Sequence, residues 1–249
     1  MITVRDIRKS FDGNAVLRGV SFDVPDGVTV VILGKSGCGK SVLLKMIVGL
    51  LKPDSGSIIV DGADVASMTY PELSQARLRF GFLFQGAALF DSLTVGENIA
   101  LALRKRNEHT EKEIREQVRT ALELVGLPGI ERSMPAGLSG GMKKRVGLAR
   151  AIAPRPRYVL YDEPTTGLDM ATADGINQLI NDLRSKLGVT SIVVTHDIHS
   201  AFVVGDQFTI LDRGVTLMTG TREEIERSKN EDVRKYITSS LSPSEAGRP

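Results

Sequence analysis

The chain of 249 residues is long enough for one large α/β domain or for a domain that carries an inserted lobe. Its net charge of +2 excludes the strong positive field of typical nucleic-acid-binding proteins, so we expect no nucleic-acid partner. Its apolar runs have the length of strands, too short for a membrane span, and the first residues lead directly into a strand pattern, so we expect no signal peptide. The single cysteine excludes an internal disulfide and is typical of a cytoplasmic protein.

Two segments of alternating hydrophobicity open the chain and predict an antiparallel sheet. They cover residues 2–7 and 20–24, and turn residues lie between them from Phe11 to Asn14. An aromatic ring in such a turn is either a core residue or a flat surface for stacking. Because any base can stack on an aromatic ring, Phe11 is a candidate for contact with a nucleotide base.

The next strand, at 28–33, leads into a glycine-rich loop of sequence GKSGCGKS and then into a helical pattern. This is the G-x-x-x-x-G-K-[ST] phosphate loop in its required strand–loop–helix context. We predict that it binds a nucleotide through Gly34, Lys35, Ser36, Gly37, Cys38, Gly39, Lys40 and Ser41. The lysine ammonium would contact the β- and γ-phosphates, and the Ser41 hydroxyl can ligate Mg²⁺. Cys38 is either a thiol with a pKa lowered by the positive loop or a small residue that fits there, and we favour the second interpretation.

Polar side chains follow three further apolar strands. Gln85 comes after the strand at 80–84, and His196 comes after the strand at 190–195. Asp162 and Glu163 follow the strand at 158–161. Ligand contacts in open α/β sheets lie at the carboxyl ends of the strands. Two adjacent carboxylates there predict a Mg²⁺ contact by Asp162 and a general base, Glu163, that polarises the attacking water. A histidine at position 196 can contact a γ-phosphate.

Between residues 86 and 153 strand signals disappear and helical patterns replace them, which predicts a helical lobe inserted into the α/β core. One helix is expected at 94–105, and Thr110 with Glu113 forms a capping box for the next. The segment 138–142 reads LSGGM before a helix that continues to about residue 153. With Ser139 as N-cap, its exposed N–H groups predict either a second anion site or a simple capped helix start.

The remainder of the chain predicts a closing hairpin at 207–211 and 215–218, a capping box at Thr221, and a short helix at about 231–238. Residues 239–249 are rich in serine and proline, so we expect them to be disordered. His109 and His199 are expected at the surface.

These motifs, taken in order, resemble those of the ATP-binding cassette (ABC) ATPases. The motifs are GKSGCGKS, Gln85 after a strand, LSGG, YVLYDEP, GLD and His196. The resemblance covers residues 1–227. It implies an α/β P-loop NTPase core with an antiparallel β-subdomain and an α-helical subdomain inserted at about 86–153. Residues 228–249 would then form a C-terminal helix and a disordered tail.

The resemblance also implies roles for individual residues in binding and hydrolysing ATP with Mg²⁺. These are Phe11 under adenine, Gln85 at nucleotide and metal, Asp162 at the metal, Glu163 as catalytic glutamate and His196 as switch histidine. In this family the LSGG loop of one subunit covers the γ-phosphate held by the other. Two ATP molecules thus join a head-to-tail homodimer, in which Ser139, Gly140, Gly141 and Asp169 would contact nucleotide.

At a finer level, several segments are similar to the ATPases of MCE-type (Mla-type) lipid transporters, which are linked to organic-solvent resistance and to phospholipid transport. The segments are LSGGMKKR, DEPTTGLD, FQGAALFDSLTVGENIAL and RSKNEDVRKYI. Met142 replaces the glutamine of the usual LSGGQ, so the role of that glutamine does not carry over. The expected partners are a membrane permease, an MCE-domain protein and a small regulatory subunit. The expected location is the cytoplasmic face of the bacterial inner membrane.

Other functions stay open at this point. One is a motor for an importer of polar amino acids or other small solutes. Another is a non-transport ABC ATPase that acts on nucleic acid or ribosomes or in metal-cluster assembly. The apolar segment 86–90 next to Gln85 is either a docking surface for the permease or an anchor for the helical lobe through Leu89 and Phe90.

Overall fold

The computed structural model describes residues 1–105 and 109–240. These residues form two compact units. The first unit comprises residues 1–74 together with the described residues from Ile192 onward, and the second comprises Gln75–Ser191. In the described part of the chain, none of the helices combines the length and the hydropathy that a membrane crossing requires.

The secondary-structure elements follow one another in mixed α/β order. The strands are β1 (Ile2–Phe11), β2 (Asn14–Val24), β3 (Thr29–Leu33), β4 (Ser55–Val60), β5 (Ala63–Asp64), β6 (Phe80–Leu83), β7 (Tyr158–Asp162), β8 (Thr190–Thr195), β9 (Gln207–Asp212) and β10 (Val215–Gly220). The helices are α1 (Lys40–Ile47), α2 (Tyr70–Arg77), α3 (Val95–Arg104), α4 (Glu111–Leu124), α5 (Gly140–Ile152), α6 (Met170–Leu187), α7 (Ile198–Val204), α8 (Arg222–Glu226) and α9 (Glu231–Ser240). Short 3₁₀ turns cover Val65–Ser67 and Pro135–Gly137.

The first unit contains an antiparallel sheet with the strand order β2–β1–β4–β5. Strand β1 pairs with β2 and with β4, so that Ile2 faces Val24 on one side and Val60 on the other. All three side chains are buried. The opening antiparallel sheet predicted from the alternating pattern is therefore confirmed.

The same unit holds the strand that leads into the glycine-rich loop. Strand β3 lies between β9 and β8, and it pairs with β9 in parallel. All five β3 residues are buried, because Val30 to Leu33 form a continuous apolar run. On its other side β9 pairs antiparallel with β10, which confirms the predicted closing hairpin.

The second unit combines a short parallel strand pair with helices. Strand β6 pairs with β7, so that Phe80 faces Tyr158 and Leu83 faces Tyr161. Helix α5 passes so close to β6 that a side chain at Gly81 would collide with the α5 backbone. Helices α3, α4 and α5 occupy the stretch in which strand signals disappear, and the capping box of Thr110 is present in α4.

Local structure differs from the sequence-based expectations at three places. Phe11 is the last residue of β1 and not part of the turn, because β1 continues past a bulge that interrupts the alternation after Val4. Helix α2 was not expected, since it buries none of its side chains and therefore lacks an apolar period. Helix α9 ends at Ser240, two residues beyond the expected end of the short helix. Residues 241–249 of the predicted disordered tail lie outside the described residues.

Candidate functional site

The glycine-rich loop of the first unit connects β3 to α1, and its glycines are required by close packing. A methyl group at Gly34 would lie 2.5 Å from the Leu211 carbonyl oxygen. Gly39 has φ 103°, in the left-handed region, and a methyl group there would lie 2.5 Å from Cδ2 of Leu17. The loop is therefore packed tightly against neighbouring residues of its own unit.

Lys40 and Ser41 form the first turn of α1. The buried Lys40 ammonium donates to the backbone oxygens of Gly34, at 2.7 Å, and of Lys35, at 3.2 Å. The half-buried Ser41 follows it on the helix. A cation and a hydroxyl at a helix N-terminus are the groups that bind phosphate oxygens and their metal ion.

Cys38 behaves as a small buried residue of this loop. Its side chain is only 8% exposed. Burial raises the pKa of the Cys38 thiol, although the Lys40 ammonium opposes that shift. The interpretation of Cys38 as a thiol with a lowered pKa is therefore wrong, and the neutral thiol is the form that fits the loop.

The first unit also contains two other predicted site residues, His196 and Phe11. The backbone N–H of Gly34 donates to the Thr195 oxygen at 3.3 Å, so His196, the next residue, follows a strand end beside the loop. His196 is exposed. Phe11 lies at the end of β1 with 39% of its surface exposed, and the Lys9 ammonium lies 5.5 Å from its ring centroid.

In the second unit the two predicted carboxylates meet at the carboxyl end of β7. Asp162 is the last residue of the strand, Glu163 follows it, and both are buried. The backbone of Glu163 has φ 48°, in the left-handed region that a side chain rarely adopts. The Thr166 hydroxyl donates to Oε2 of Glu163 at 3.0 Å. This side chain is therefore fixed by a strained backbone at one end and by a hydrogen bond at the other.

The LSGG segment begins α5 as the sequence predicts. The Ser139 hydroxyl accepts a hydrogen bond from the Met142 N–H at 3.2 Å and so acts as N-cap. Gly140 is exposed. A methyl group at Gly141 would lie 2.5 Å from Cγ2 of Thr172, which brings the start of α5 directly against α6.

Asp169 is the N-cap of α6 and thus lies in the same part of the second unit. Its carboxylate accepts hydrogen bonds from Thr172, from the N–H at 3.0 Å and from the hydroxyl at 2.6 Å. These bonds lower the pKa of Asp169. The structure thus brings the predicted residues Ser139, Gly141 and Asp169 to the adjoining starts of two helices.

The segment that begins at Gln85 is exposed at Gln85 and at Phe90. Ala87 and Ala88 have φ values of 60° and 47°, again in the left-handed region. The Arg150 guanidinium donates to their backbone oxygens at 2.6 and 2.7 Å. The segment is therefore held in an unfavourable backbone conformation by a side chain of α5.

Sequence reasoning missed two residues of α5 that hold this region, Lys144 and Arg150. The Lys144 ammonium donates to the backbone oxygens of Gln85 and Glu163, the second at 2.9 Å. A signal was present, because Lys144 lies three residues after Gly141 and four before Leu148 on the buried face of α5. A lysine on an otherwise buried helix face indicates a specific partner.

Comparison with known proteins identifies the family. Residues 17–166 match the ABC transporter family. The chain is 42% identical over 236 residues to the probable ribonucleotide transport ATP-binding protein mkl of Mycobacterium leprae, covering 95% of this chain and 68% of that relative. It is 35% identical over 237 residues to the intermembrane phospholipid transport system ATP-binding protein MlaF of Escherichia coli K12, covering 95% and 88%. The chain thus spans about two thirds of the length of the mycobacterial relatives, 66% for that of Mycobacterium bovis.

Solved structures support the same assignment. A dimeric ATP-binding cassette in a post-hydrolysis state, bound to ADP and phosphate, is 32% identical and superposes with a TM-score of 0.82, covering 89% of this chain and 98% of the other. The cbiO1 protein of Clostridium perfringens, part of an ABC transporter complex, is 30% identical with a TM-score of 0.83, covering 95% and 94%. The predicted α/β fold of an ABC ATPase, with its antiparallel sheet and helical segment, is confirmed. The chain belongs to the ABC transporter family and carries its ATP-binding, ATP-hydrolysing domain.

Proposed function

We propose that the protein is the ATPase subunit of a phospholipid transporter. Its ATP hydrolysis would power the movement of phospholipids through a separate membrane permease. The similarity to MlaF, which extends over 88% of that relative, is the observation that carries the proposal. A chloroplast protein of Arabidopsis thaliana named TRIGALACTOSYLDIACYLGLYCEROL 3 supports it, with 39% identity over 257 residues. The name of the mycobacterial relatives favours a second candidate, transport of ribonucleotides.

ATP would be held by the phosphate loop of the first unit, with the Lys40 ammonium on the phosphates. Mg²⁺ would be bound by oxygen donors, for which Ser41, Gln85 and Asp162 supply a hydroxyl, an amide and a carboxylate. The fit rests on this donor chemistry, since hard cations prefer oxygen ligands. The metal would neutralise charge on the phosphates, which lowers the barrier to phosphoryl transfer.

Hydrolysis would depend on Glu163 as the general base that orients and polarises the attacking water. Its carboxylate is buried and its orientation is fixed by Thr166, which fits a group that must act from one position. His196 would contact the γ-phosphate. Phe11 would stack under the adenine, which its partly exposed ring permits.

Two copies of the chain would act as a head-to-tail dimer. In it, the exposed Ser139 and Gly140 of one copy would cover the γ-phosphate held by the other, together with Gly141 and Asp169. The N-terminus of α5 supplies the physical reason, because a helix N-terminus attracts an anion. The dimeric state of a similar solved structure supports this arrangement.

The permease would dock near Gln85, on the surface formed by Leu89 and Phe90. Phe90 is 56% exposed, whereas Leu89 is half-buried. The Asn98 side chain holds the Phe90 backbone in place, accepting from its N–H at 2.8 Å. An exposed aromatic ring on a backbone held in place is typical of an interface anchor. The dimer would lie at the cytoplasmic face of the bacterial inner membrane, with an MCE-domain protein and a small regulatory subunit in the complex.

Affinity purification of the tagged chain from detergent-extracted membranes of its own host tests the proposal. We expect a permease and an MCE-domain protein in the eluate, with phospholipid in the organic extract of the complex. Recovery of a solute-receptor importer would reject lipid transport and leave the ATPase assignment intact. So would a complex whose rate of ATP hydrolysis rises with added ribonucleotides other than ATP, such as UMP, and not with phospholipid vesicles.

A substitution at the exposed ring locates the docking surface. Phe90→Glu places a charge on the proposed interface, and it should remove the permease from the eluate while ATP binding is retained. The matched control is Tyr70→Glu, because Tyr70 is 77% exposed on α2. If both variants retain the permease, Leu89 and Phe90 serve only to anchor the helical segment.

A further inference from the structure

Lys144 links two segments of the second unit that sequence reasoning treated separately. It lies on α5 and is 5% exposed. Its ammonium donates to the backbone oxygen of Gln85 and, at 2.9 Å, to the backbone oxygen of Glu163. One side chain therefore binds both the peptide of Glu163, the predicted general base, and the peptide of Gln85, which is predicted to contact nucleotide and metal.

A buried ammonium of this kind is costly, which argues against an incidental contact. Burial lowers the pKa of Lys144, while the negative charges of Asp162 and Glu163 act in the opposite direction. Lysine is almost never fully buried unless it is paired. Since its contacts are with main-chain oxygens, Lys144 constrains backbone positions rather than neutralising a single carboxylate.

One of the two hydrogen bonds of Lys144 reaches a residue whose backbone conformation is unfavourable. Glu163 has φ 48°, an unfavourable value for a residue with a side chain, and Lys144 binds the carbonyl of this same residue. Thr166 fixes the carboxylate at the other end of Glu163. Hydrogen bonds to its carboxylate and to its carbonyl thus restrain Glu163 at both ends.

We propose that Lys144 is a positioning residue for ATP hydrolysis, which holds the backbone oxygens of Gln85 and Glu163 and thereby sets the orientation of the general base. This inference rests on the proposed role of Glu163. Lys144 touches neither ATP nor water in this mechanism. It acts through Glu163, so its removal impairs the chemical step and leaves nucleotide binding unchanged.

The first test compares steady-state ATPase kinetics of Lys144→Met and Lys143→Met. Lys143 is the adjacent, partly exposed lysine of α5, so the control removes the same charge from the same helix. For Lys144→Met we expect kcat to fall about 10- to 100-fold, the scale of a misplaced catalytic group, with KM for ATP within about twofold of the parent. Lys144→Arg, which can donate to both oxygens, should recover at least part of kcat, and Lys143→Met should match the parent.

The second test is a double-mutant cycle with Glu163→Gln, read by single-turnover hydrolysis. If Lys144 acts through Glu163, adding Lys144→Met to Glu163→Gln costs little further activity. Multiplicative losses in the double variant, or an unchanged kcat in Lys144→Met, would overturn the proposal. Full activity of Glu163→Gln alone would instead reject Glu163 as the base, which is a separate failure. Should Lys144→Met not fold, Lys144→Gln takes its place and is judged by the same criteria.

Discussion

The Lys40 ammonium donates a hydrogen bond to the Gly34 carbonyl oxygen at 2.7 Å, joining the first turn of α1 to the first residue of the phosphate loop. The side chain of the predicted phosphate ligand therefore also closes the loop that surrounds it. A side chain at Gly34 would collide with the Leu211 carbonyl oxygen, so this end of the loop requires glycine. Lys40 thus supplies both the hydrogen bond that closes the loop and the positive charge predicted to bind the phosphates.

Replacing Lys40 by alanine should weaken ATP binding. A hydrogen bond to a charged group contributes about 1.5–3 kcal/mol, so the dissociation constant should rise by about 10- to 150-fold. Titration with a fluorescent ATP analogue measures it. Lys45→Ala is the control, because it removes a lysine from the last turn of the same helix. Equal affinities for all three proteins would show that Lys40 contributes only to the chemical step.

Replacing Glu163 by glutamine should abolish most hydrolysis and retain ATP binding. The amide keeps the shape of the side chain but accepts no proton, so we expect the rate to fall at least about 100-fold. Phosphate release measures the rate, and Glu116→Gln, an exposed glutamate of α4, is the control. Normal turnover in a folded Glu163→Gln protein would exclude this residue as the base.

The start of α5 should decide dimer formation. In the Glu163→Gln background, ATP with Mg²⁺ should produce dimers in size-exclusion chromatography, and adding Ser139→Arg should abolish them. Ser139→Ala is the control, because it removes the N-cap hydrogen bond to Met142, worth about 1 kcal/mol, without adding bulk. Loss of ATP binding in the monomer would instead place Ser139 in the nucleotide site of its own chain.

The buried thiol of Cys38 should react slowly with iodoacetamide. Burial raises its pKa above the ordinary value of 9.0, so less thiolate is present in the folded protein than in the unfolded protein. The protonated thiol favours folding. Its contribution to stability is therefore complete below pH 9.0 and is lost as the pH rises through the folded pKa. Mass spectrometry of labelling at pH 8, with and without denaturant, measures the difference; equal rates would contradict the buried assignment.

Sequence patterns correctly predicted the parts of the fold that are determined by residues close together in the chain. The phosphate loop follows from its glycines and from the apolar run of β3, and the capping boxes at Thr110 and Thr221 follow from one threonine and one glutamate each. Helix α2 lacks an apolar face. The sequence nevertheless contained a signal for its start, a threonine followed three residues later by a glutamate. Thr69 donates its N–H and its hydroxyl to the Glu72 carboxylate, both at 2.7 Å.

The contacts of Lys144 and Arg150 were not predictable in the same way. Both side chains bind backbone oxygens, and a backbone oxygen has no residue identity that a sequence pattern can show. The left-handed conformation of Glu163 could not be predicted from the sequence for a related reason. It is imposed by the surrounding structure against the preference of the residue itself, so only the folded chain reveals it.

The two left-handed alanines beside Gln85 give the segment mechanical properties of its own. Each such residue costs about 1–2 kcal/mol relative to ordinary backbone, and the Arg150 guanidinium binds both carbonyls. The segment therefore holds a strained backbone conformation, which Arg150 stabilises at both alanines. A force applied at the exposed Phe90 ring acts on a backbone that already stores energy, so the work needed to move it is smaller than for a relaxed loop.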